Sequence, residues 1–195
     1  LGGIMNLKGK HFLSCDDWSK EELDVVFNKS FELKEQFYNE VHHLDLPHKT
    51  LFMIFFEQST RTRNSMEAGM TQLGGHAHDL TADKMQLSHG ESAKDTAIIL
   101  SRMGHGIASS NCFYGIGKDY LKEMSKYSKR PVMSLQDDVY HPFQGLADLM
   151  TIFEHFDKNL KGLKVTISWA YADTHSKPLS VPQTQILLFP RYGID

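Results

Sequence analysis

The sequence predicts an α/β fold, a parallel sheet flanked by helices, and three observations lead there. Leu51-Phe52-Met53-Ile54-Phe55-Phe56 is apolar without alternation, as a strand buried on both faces of a parallel sheet should be. That run is followed by a stretch of helical composition, Thr60 to Leu73, which closes on the C-terminal stop signal Gly74-Gly75. Strand-like and helix-like stretches then keep alternating as far as Phe156, the pattern of βα units.

Taken in order, Ser19 to Glu40 reads as a helix. Ser19 is its expected N-cap and Glu22 completes a capping box, while Leu23, Val26, Phe27, Phe31 and Leu33 supply apolar positions. Polar residues through His42-His43 and Pro47 lead into the first strand. After it come a short strand over His76–Leu80, a helix from Ser92 to Met103 and a weak strand from Gly106 to Ser110. A helix from Tyr120 to Tyr127 and a strand from Pro131 to Leu135 follow. Pro142 to Phe156 is a strong helix, with Leu146, Leu149, Met150, Phe153 and Phe156 on one side.

Beyond Lys158-Asn159-Leu160-Lys161-Gly162, the run Lys164–Ala170 is predicted to be a strand and Val181–Tyr192 a helix interrupted by Pro190. One strand and one helix cannot bury a core of their own. The expected organisation is therefore a domain over residues 1–158, then a linker and the opening strand–helix unit of an incomplete second α/β domain over 159–195.

Composition narrows the function classes. A chain of 195 residues can bury a proper core. Its net charge of −3 argues against general nucleic-acid affinity, and no basic run suggests a membrane surface. No apolar stretch approaches membrane-spanning length and no secretory signal is visible. Cys15 and Cys112 form no motif, so free thiols in a reducing cytoplasm are expected.

Two stretches carry candidate chemistry. Where the apolar run breaks into Glu57-Gln58-Ser59-Thr60-Arg61-Thr62-Arg63, a strand feeds a helix through hydroxyls and a guanidinium. Free backbone N–H groups at the positive end of a helix suit a phosphate, and the Arg fork can hold two phosphate oxygens at once. An ordinary capped helix with solvated arginines is the alternative. The second stretch is His141-Pro142-Phe143-Gln144-Gly145-Leu146-Ala147-Asp148. Pro142 fits the first helical position, which makes His141 the N-cap and Gln144 the third helical residue. Both can point at one small ligand from the C-terminal edge of the sheet, where ligands of open parallel sheets sit, or both can simply cap the helix. A His can donate to a carbonyl oxygen, and a Gln amide both donates and accepts.

The remaining histidines tempt towards a metal. His76 and His78 alternate on one strand and His89 follows, but no helical His pair with an acidic partner and no Cys cluster is present. No metal site is expected. Asp95, Arg102 and Asp148 read as structural salt-bridge or capping residues. Neither Gly-x-Gly-x-x-Gly nor a P-loop lysine motif occurs, which disfavours a nucleotide binder.

Ser59-Thr60-Arg61-Thr62-Arg63 with Leu73-Gly74-Gly75, then His89-Gly90-Glu91-Ser92 with Asp95-Thr96-Ala97, then His141–Asp148, stand in the order found in the aspartate/ornithine carbamoyltransferase family, which the chain resembles over nearly its whole length. Ser168-Trp169-Ala170-Tyr171 and Lys177-Pro178-Leu179-Ser180-Val181-Pro182-Gln183 look like the YgeW-type knotted members. In knotted members a later segment threads a proline-rich loop of this region; without that segment no closed knot is expected here.

The resemblance implies transfer of the carbamoyl group of carbamoyl phosphate to an amino or amide nitrogen, with release of phosphate and no cofactor. It implies that Ser59, Thr60, Arg61 and Thr62 hold the phosphate. Arg61, Thr62 and His141 would stabilise the carbamoyl oxygen as it gains charge, and Gln144 would hold the carbamoyl NH2. Arg63 would brace the loop by ion pairing. A cytoplasmic homotrimer with shared sites is implied, in which His89 reaches the phosphate of a neighbouring subunit or is a solvated loop residue. Acceptors across the family include aspartate, ornithine, N-acylated ornithines and putrescine; the YgeW-type likeness tilts towards oxamate or another ureide-pathway acceptor. One departure matters: Ser110 stands where relatives carry a phosphate-gripping Arg. The alternative expectation is a non-catalytic, truncated or eroded homologue that binds phosphate ligands or only assembles.

Overall fold

The structure, a computed structural model, describes residues 6–42, 44–169, 171–173 and 176–195. Four strands, β1 (Thr50–Phe55), β2 (His76–Thr81), β3 (Gly106–Asn111) and β4 (Val132–Asp137), form one sheet of order β2-β1-β3-β4, every pair parallel. Helices α1 (Lys20–Tyr38), α2 (Arg61–Gln72), α3 (Ala93–Met103), α4 (Gly117–Tyr127), α5 (Pro142–His155) and α6 (Ser176–Leu188) surround it. The predicted fold class is the observed one.

Alternation along β1 splits the core into two layers. Phe52 and Ile54 face Ala97, Leu100, Leu121 and Met124, so α3 and α4 cover one side. Leu51, Met53 and Phe55 face the other, with Met70 of α2 and Leu135 of β4. Both faces are therefore dry, which is why β1 reads as an unbroken apolar run. Edge strand β2 shows the opposite chemistry, with His76, His78 and Asp79 exposed, which discourages a further strand from pairing there. At the far edge the N-terminal segment bonds to β4: Phe12 N donates to Val132 O at 2.9 Å and Ser134 N to Phe12 O at 2.8 Å.

The expected start signals are present. Ser19 Oγ accepts from Glu22 N, and Glu22 returns the bond to the Ser19 backbone, closing the capping box of α1. Ser92 Oγ accepts from Asp95 N at 3.1 Å to open α3. Helix α4 begins three residues before its predicted start, and Gly117 explains the location. A Cβ there would lie 1.9 Å from the Asn111 carbonyl oxygen, so only glycine lets the helix start against the end of β3.

The predicted strand over Lys164–Ala170 is not found. Its described residues, 164–169, are irregular, the nearby bridge between Leu163 and Ile194 falls just before them, and Ala170 lies outside the described residues. Val165 N bonds Asp195 O at 2.9 Å and Asp195 N bonds Leu163 O at 2.8 Å. A strand exists only where a neighbour takes up its ladder groups, and the described residues offer no longer partner. The final helix also differs: α6 starts at Ser176 rather than Val181 and carries Pro182 inside it. It ends before Pro190, where a 3-10 turn over Phe189–Tyr192 takes over.

The segment after 159 packs on the rest of the chain. Leu160, Leu188, Phe189 and Ile194 share one buried cluster with Phe12, Cys15, Trp18, Leu23, Phe27 and Leu149. Arg191 ties it to the N-terminal segment, donating to Cys15 O at 2.7 Å and Trp18 O at 2.6 Å. Both cysteines are buried and neither forms a disulfide, and burial pushes the Cys15 thiol up to about 12.

Candidate active site at the C-terminal edge of the sheet

Strand register decides which loops meet. Phe55 pairs with Ser110; across an irregularity in the β3–β4 ladder, Ser110 then pairs with Gln136 and Asn111 with Asp137. The turn after β1, the loop after β3 and the loop after β4 therefore leave the sheet side by side. This edge is polar yet buried: Ser109, Ser110, Asn111, Gln136, Asp137, Asp138 and His141 are all nearly inaccessible. Buried polar groups need partners, and the two acids supply many. Asp137 Oδ1 accepts from Val139 N at 2.8 Å and Tyr140 N at 2.7 Å, while its other oxygen accepts from Ser134 Oγ at 3.0 Å. Burial raises its pKa, against the pull of these bonds. Asp138 faces the other loop, accepting from Gly115 N and Lys118 N, each at 2.8 Å, and so caps α4.

The turn after β1 places Ser59 half-buried, Thr60 exposed, Arg61 exposed and Thr62 half-buried at the start of α2. Thr60 occupies the N-cap but has helical dihedrals, φ −94° and ψ −57°, and its hydroxyl caps nothing. Among the described residues, α2 is the one helix of α1–α5 whose first N–H groups meet no side-chain acceptor. An ordinary capped helix is thus not what this sequence builds. Arg61 has no ion-pair partner among the described residues. Arg63 is different: it pairs with Asp79 of β2, and its guanidinium lies 4.5 Å above the Phe55 ring. That bracing is the role expected of it.

His141 is the N-cap of α5, as predicted, with Pro142 at the first helical position. Its Nδ1 accepts from Gln144 N at 3.3 Å and its own backbone N–H donates to Thr184 Oγ1 at 2.9 Å. Because Nδ1 acts as acceptor, the neutral ring carries its proton on Nε2. Gln144 is half-buried, and its Nε2 donates to Asp148 Oδ1 at 2.8 Å. Ser110, at the end of β3, is 7% exposed, and its carbonyl accepts from Phe56 N at 3.1 Å. The structure thus brings Ser59–Thr62, Ser110, His141 and Gln144 to one edge of the sheet. His89 is not gathered with them: it ends a 3-10 turn after β2, exposed, with Nδ1 3.0 Å from Gln86 Oε1.

Some partners were not visible in the sequence. Thr184 holds the His141 backbone and Gln185 bonds Asp148, while Asp148, expected to be a structural salt-bridge or capping residue, instead accepts hydrogen bonds from the Gln144 and Gln185 amides. Two further histidines repeat what His141 does. His11 Nδ1 accepts from Val132 N at 3.0 Å and His105 Nδ1 from Thr50 N at 3.1 Å, each receiving the first N–H of a strand. His76 and His78 do share a face of β2, with ring centroids 6.2 Å apart. Among the described residues no group of three or more His, Cys, Asp or Glu is placed to hold a metal ion, and no helix is long and apolar enough to cross a membrane.

Comparison with known proteins agrees with this arrangement. The family profile described as aspartate/ornithine carbamoyltransferase, carbamoyl-P binding domain, matches residues 10–154. An ornithine carbamoyltransferase of Anoxybacillus flavithermus is 42% identical over 165 residues, covering 85% of this chain and 51% of that relative. Among solved structures, the ornithine carbamoyltransferase from Pyrococcus furiosus aligns with a TM-score of 0.76 at 36% identity, covering 83% of this chain and 50% of that one. An acetylornithine transcarbamylase complexed with acetylcitrulline aligns with a TM-score of 0.81 at 29% identity, covering 95% and 60%. The chain spans about half the length of the curated relatives it matches. Since the profile runs from the segment that edges β4 through nearly all of α5, taking in every strand of the sheet, the chain belongs to the aspartate/ornithine carbamoyltransferase family.

Proposed function

We propose that this chain binds carbamoyl phosphate and takes part in transferring its carbamoyl group to a nitrogen of a small acceptor. The observation that carries the reading is the start of α2, where unclaimed N–H groups, the Thr60 hydroxyl and the Arg61 guanidinium stand together. A dianionic phosphate satisfies all three. The acceptor nitrogen attacks the carbamoyl carbon, the N–C bond forms, and the C–O bond to phosphate breaks. The departing phosphate takes the proton that the nitrogen loses. As the carbamoyl oxygen gains charge, Arg61, Thr62 and the Nε2–H of His141 are the donors proposed to stabilise it. Gln144 is proposed to hold the carbamoyl NH2, and Ser59 and Thr60 the phosphate.

Residues 1–158 serve in this reading as the carbamoyl-phosphate domain, and 159–195 as the opening of an acceptor domain. The protein would work in the cytoplasm as a homotrimer, with His89 reaching a neighbouring subunit's phosphate. Relatives named ornithine carbamoyltransferase support an amino-acid amine as acceptor. The YgeW-type residues Ser168–Tyr171 and Lys177–Gln183 support oxamate or another ureide-pathway acceptor instead. A second reading, a non-catalytic phosphate binder, is favoured by Ser110 alone, since a guanidinium missing from a dianion site weakens binding.

Acceptor-dependent release of phosphate from carbamoyl phosphate tests the proposal in an acceptor screen with the enzyme. Arg61→Ala should lower turnover and donor affinity by about tenfold or more, because charge-assisted bonds are lost. Arg61 is exposed and has no ion-pair partner among the described residues, so stability should not change. Undiminished turnover in that variant would remove the assignment.

A further inference from the structure

Gln144 is itself held. Its Nε2 donates to Asp148 Oδ1 at 2.8 Å, one helical turn further along α5, and Gln185 Nε2 of α6 donates to Asp148 Oδ2 at 2.6 Å. All three side chains are half-buried. A carboxylate only accepts hydrogen bonds, so it dictates which end of each amide faces it: both glutamines must present their NH2 groups. Gln144 Oε1 is thereby turned away from Asp148 as an acceptor, and a carbamoyl NH2 is a donor. The last torsion of a Gln side chain is broad and roughly two-fold. Without the carboxylate the amide is free to turn over and set its NH2 against the ligand's NH2. Gln185 occupies the second oxygen and keeps the carboxylate from swinging away.

We infer that Asp148 is a positioning residue: it fixes the Gln144 amide so that the site selects a phosphate-bearing ligand with an amide NH2 over one without. The inference rests on the donor site proposed above, and the test separates the two. Calorimetry on the purified chain compares phosphonoacetamide, which carries the amide, with methylphosphonate, which does not. The wild-type chain should prefer phosphonoacetamide. Asp148→Leu should cut that preference about tenfold while methylphosphonate affinity stays within about twofold. Asp148→Asn keeps the shape and stays hydrogen-bonded with either amide end inward, so it should fold normally and lose about threefold of the preference.

Unchanged preference in the Asn variant overturns the inference. So does an equal loss for both ligands in either variant, which would mark Asp148 as a structural joint only. A wild-type chain that binds neither ligand, or both alike, removes the donor site itself, and Asp148's role with it.

Discussion

Gly145 sits where α5 crosses α6, and replacing it with alanine should be costly in a measurable way. A Cβ at that position would lie 2.5 Å from Thr184 Cγ2 and 3.6 Å from Leu188 Cδ2, the first far inside contact distance. The threonine cannot simply rotate. Its hydroxyl accepts from His141 N and donates to Ser180 O at 2.9 Å, so moving the methyl breaks buried bonds. Overpacking a core costs about 1–3 kcal/mol, and a lost buried hydrogen bond about 1 kcal/mol more. Against this, alanine gains roughly 1 kcal/mol of helix propensity over glycine. The net destabilisation of Gly145→Ala should be about 2 kcal/mol, seen in urea as a midpoint lower by roughly 1 M. Thr184→Ser removes the obstructing methyl and keeps the hydroxyl, so the double variant should recover most of the loss. An alanine variant as stable as wild type, or a double variant that recovers nothing, would refute the reasoning.

Two other perturbations read different parts of the fold. Burial lowers the pKa of His11, whose Nδ1 receives Val132 N. The unfolded chain therefore takes up the proton first, so stability should hold above histidine's ordinary value of 6.5 and fall as pH drops below it. His11→Asn, which keeps an acceptor there, should flatten that slope in unfolding measured between about pH 7 and pH 5. Arg191→Met removes two charge-assisted bonds to the Cys15 and Trp18 carbonyls. A loss of about 2 kcal/mol, or roughly 6 °C in Tm, should follow in a thermal melt.

The sheet was legible because its signals are local. Strand β1 is dry on both faces and reads as such, and Ser19, Ser92 and Pro142 announce helix starts at the positions where helices begin. β3 was the faintest strand because its end is Ser-Ser-Asn, polar residues whose burial no hydropathy pattern reveals. Where the reading failed, the cause lay elsewhere in the chain. Val165, Ile167 and Trp169 have strand preference, but preference without a partner makes no strand. The start of α4 was missed because Asp138, from a different loop, supplies its cap. The predicted helix put Pro182 beside its start at Val181, yet α6 begins at Ser176 and carries that proline in its interior. In the candidate site, the order of motifs singled out Ser59–Thr62, His141 and Gln144, which the fold brings to one edge of the sheet. Thr184 and Gln185 were not legible there: Gln185 stands 37 positions from Asp148, and no spacing rule connects the two.

Along α6, Ser180, Thr184 and Gln185 each receive or send one bond towards the edge of the sheet, to Gln136, His141 and Asp148. A rigid rod that grips at three places has only one rotational setting that satisfies all of them. Adding or deleting a single residue between Ser180 and Thr184 would turn the first grip by about 100° relative to the other two, so that all three could no longer hold at once. Between α5 and α6 the described residues up to Val165 are anchored, but 166–169 take part in no backbone hydrogen bond among the described residues, and a tether there can change length at small entropic expense. Variation in this part of the chain should therefore accumulate in the tether, while the phase of the rod stays fixed.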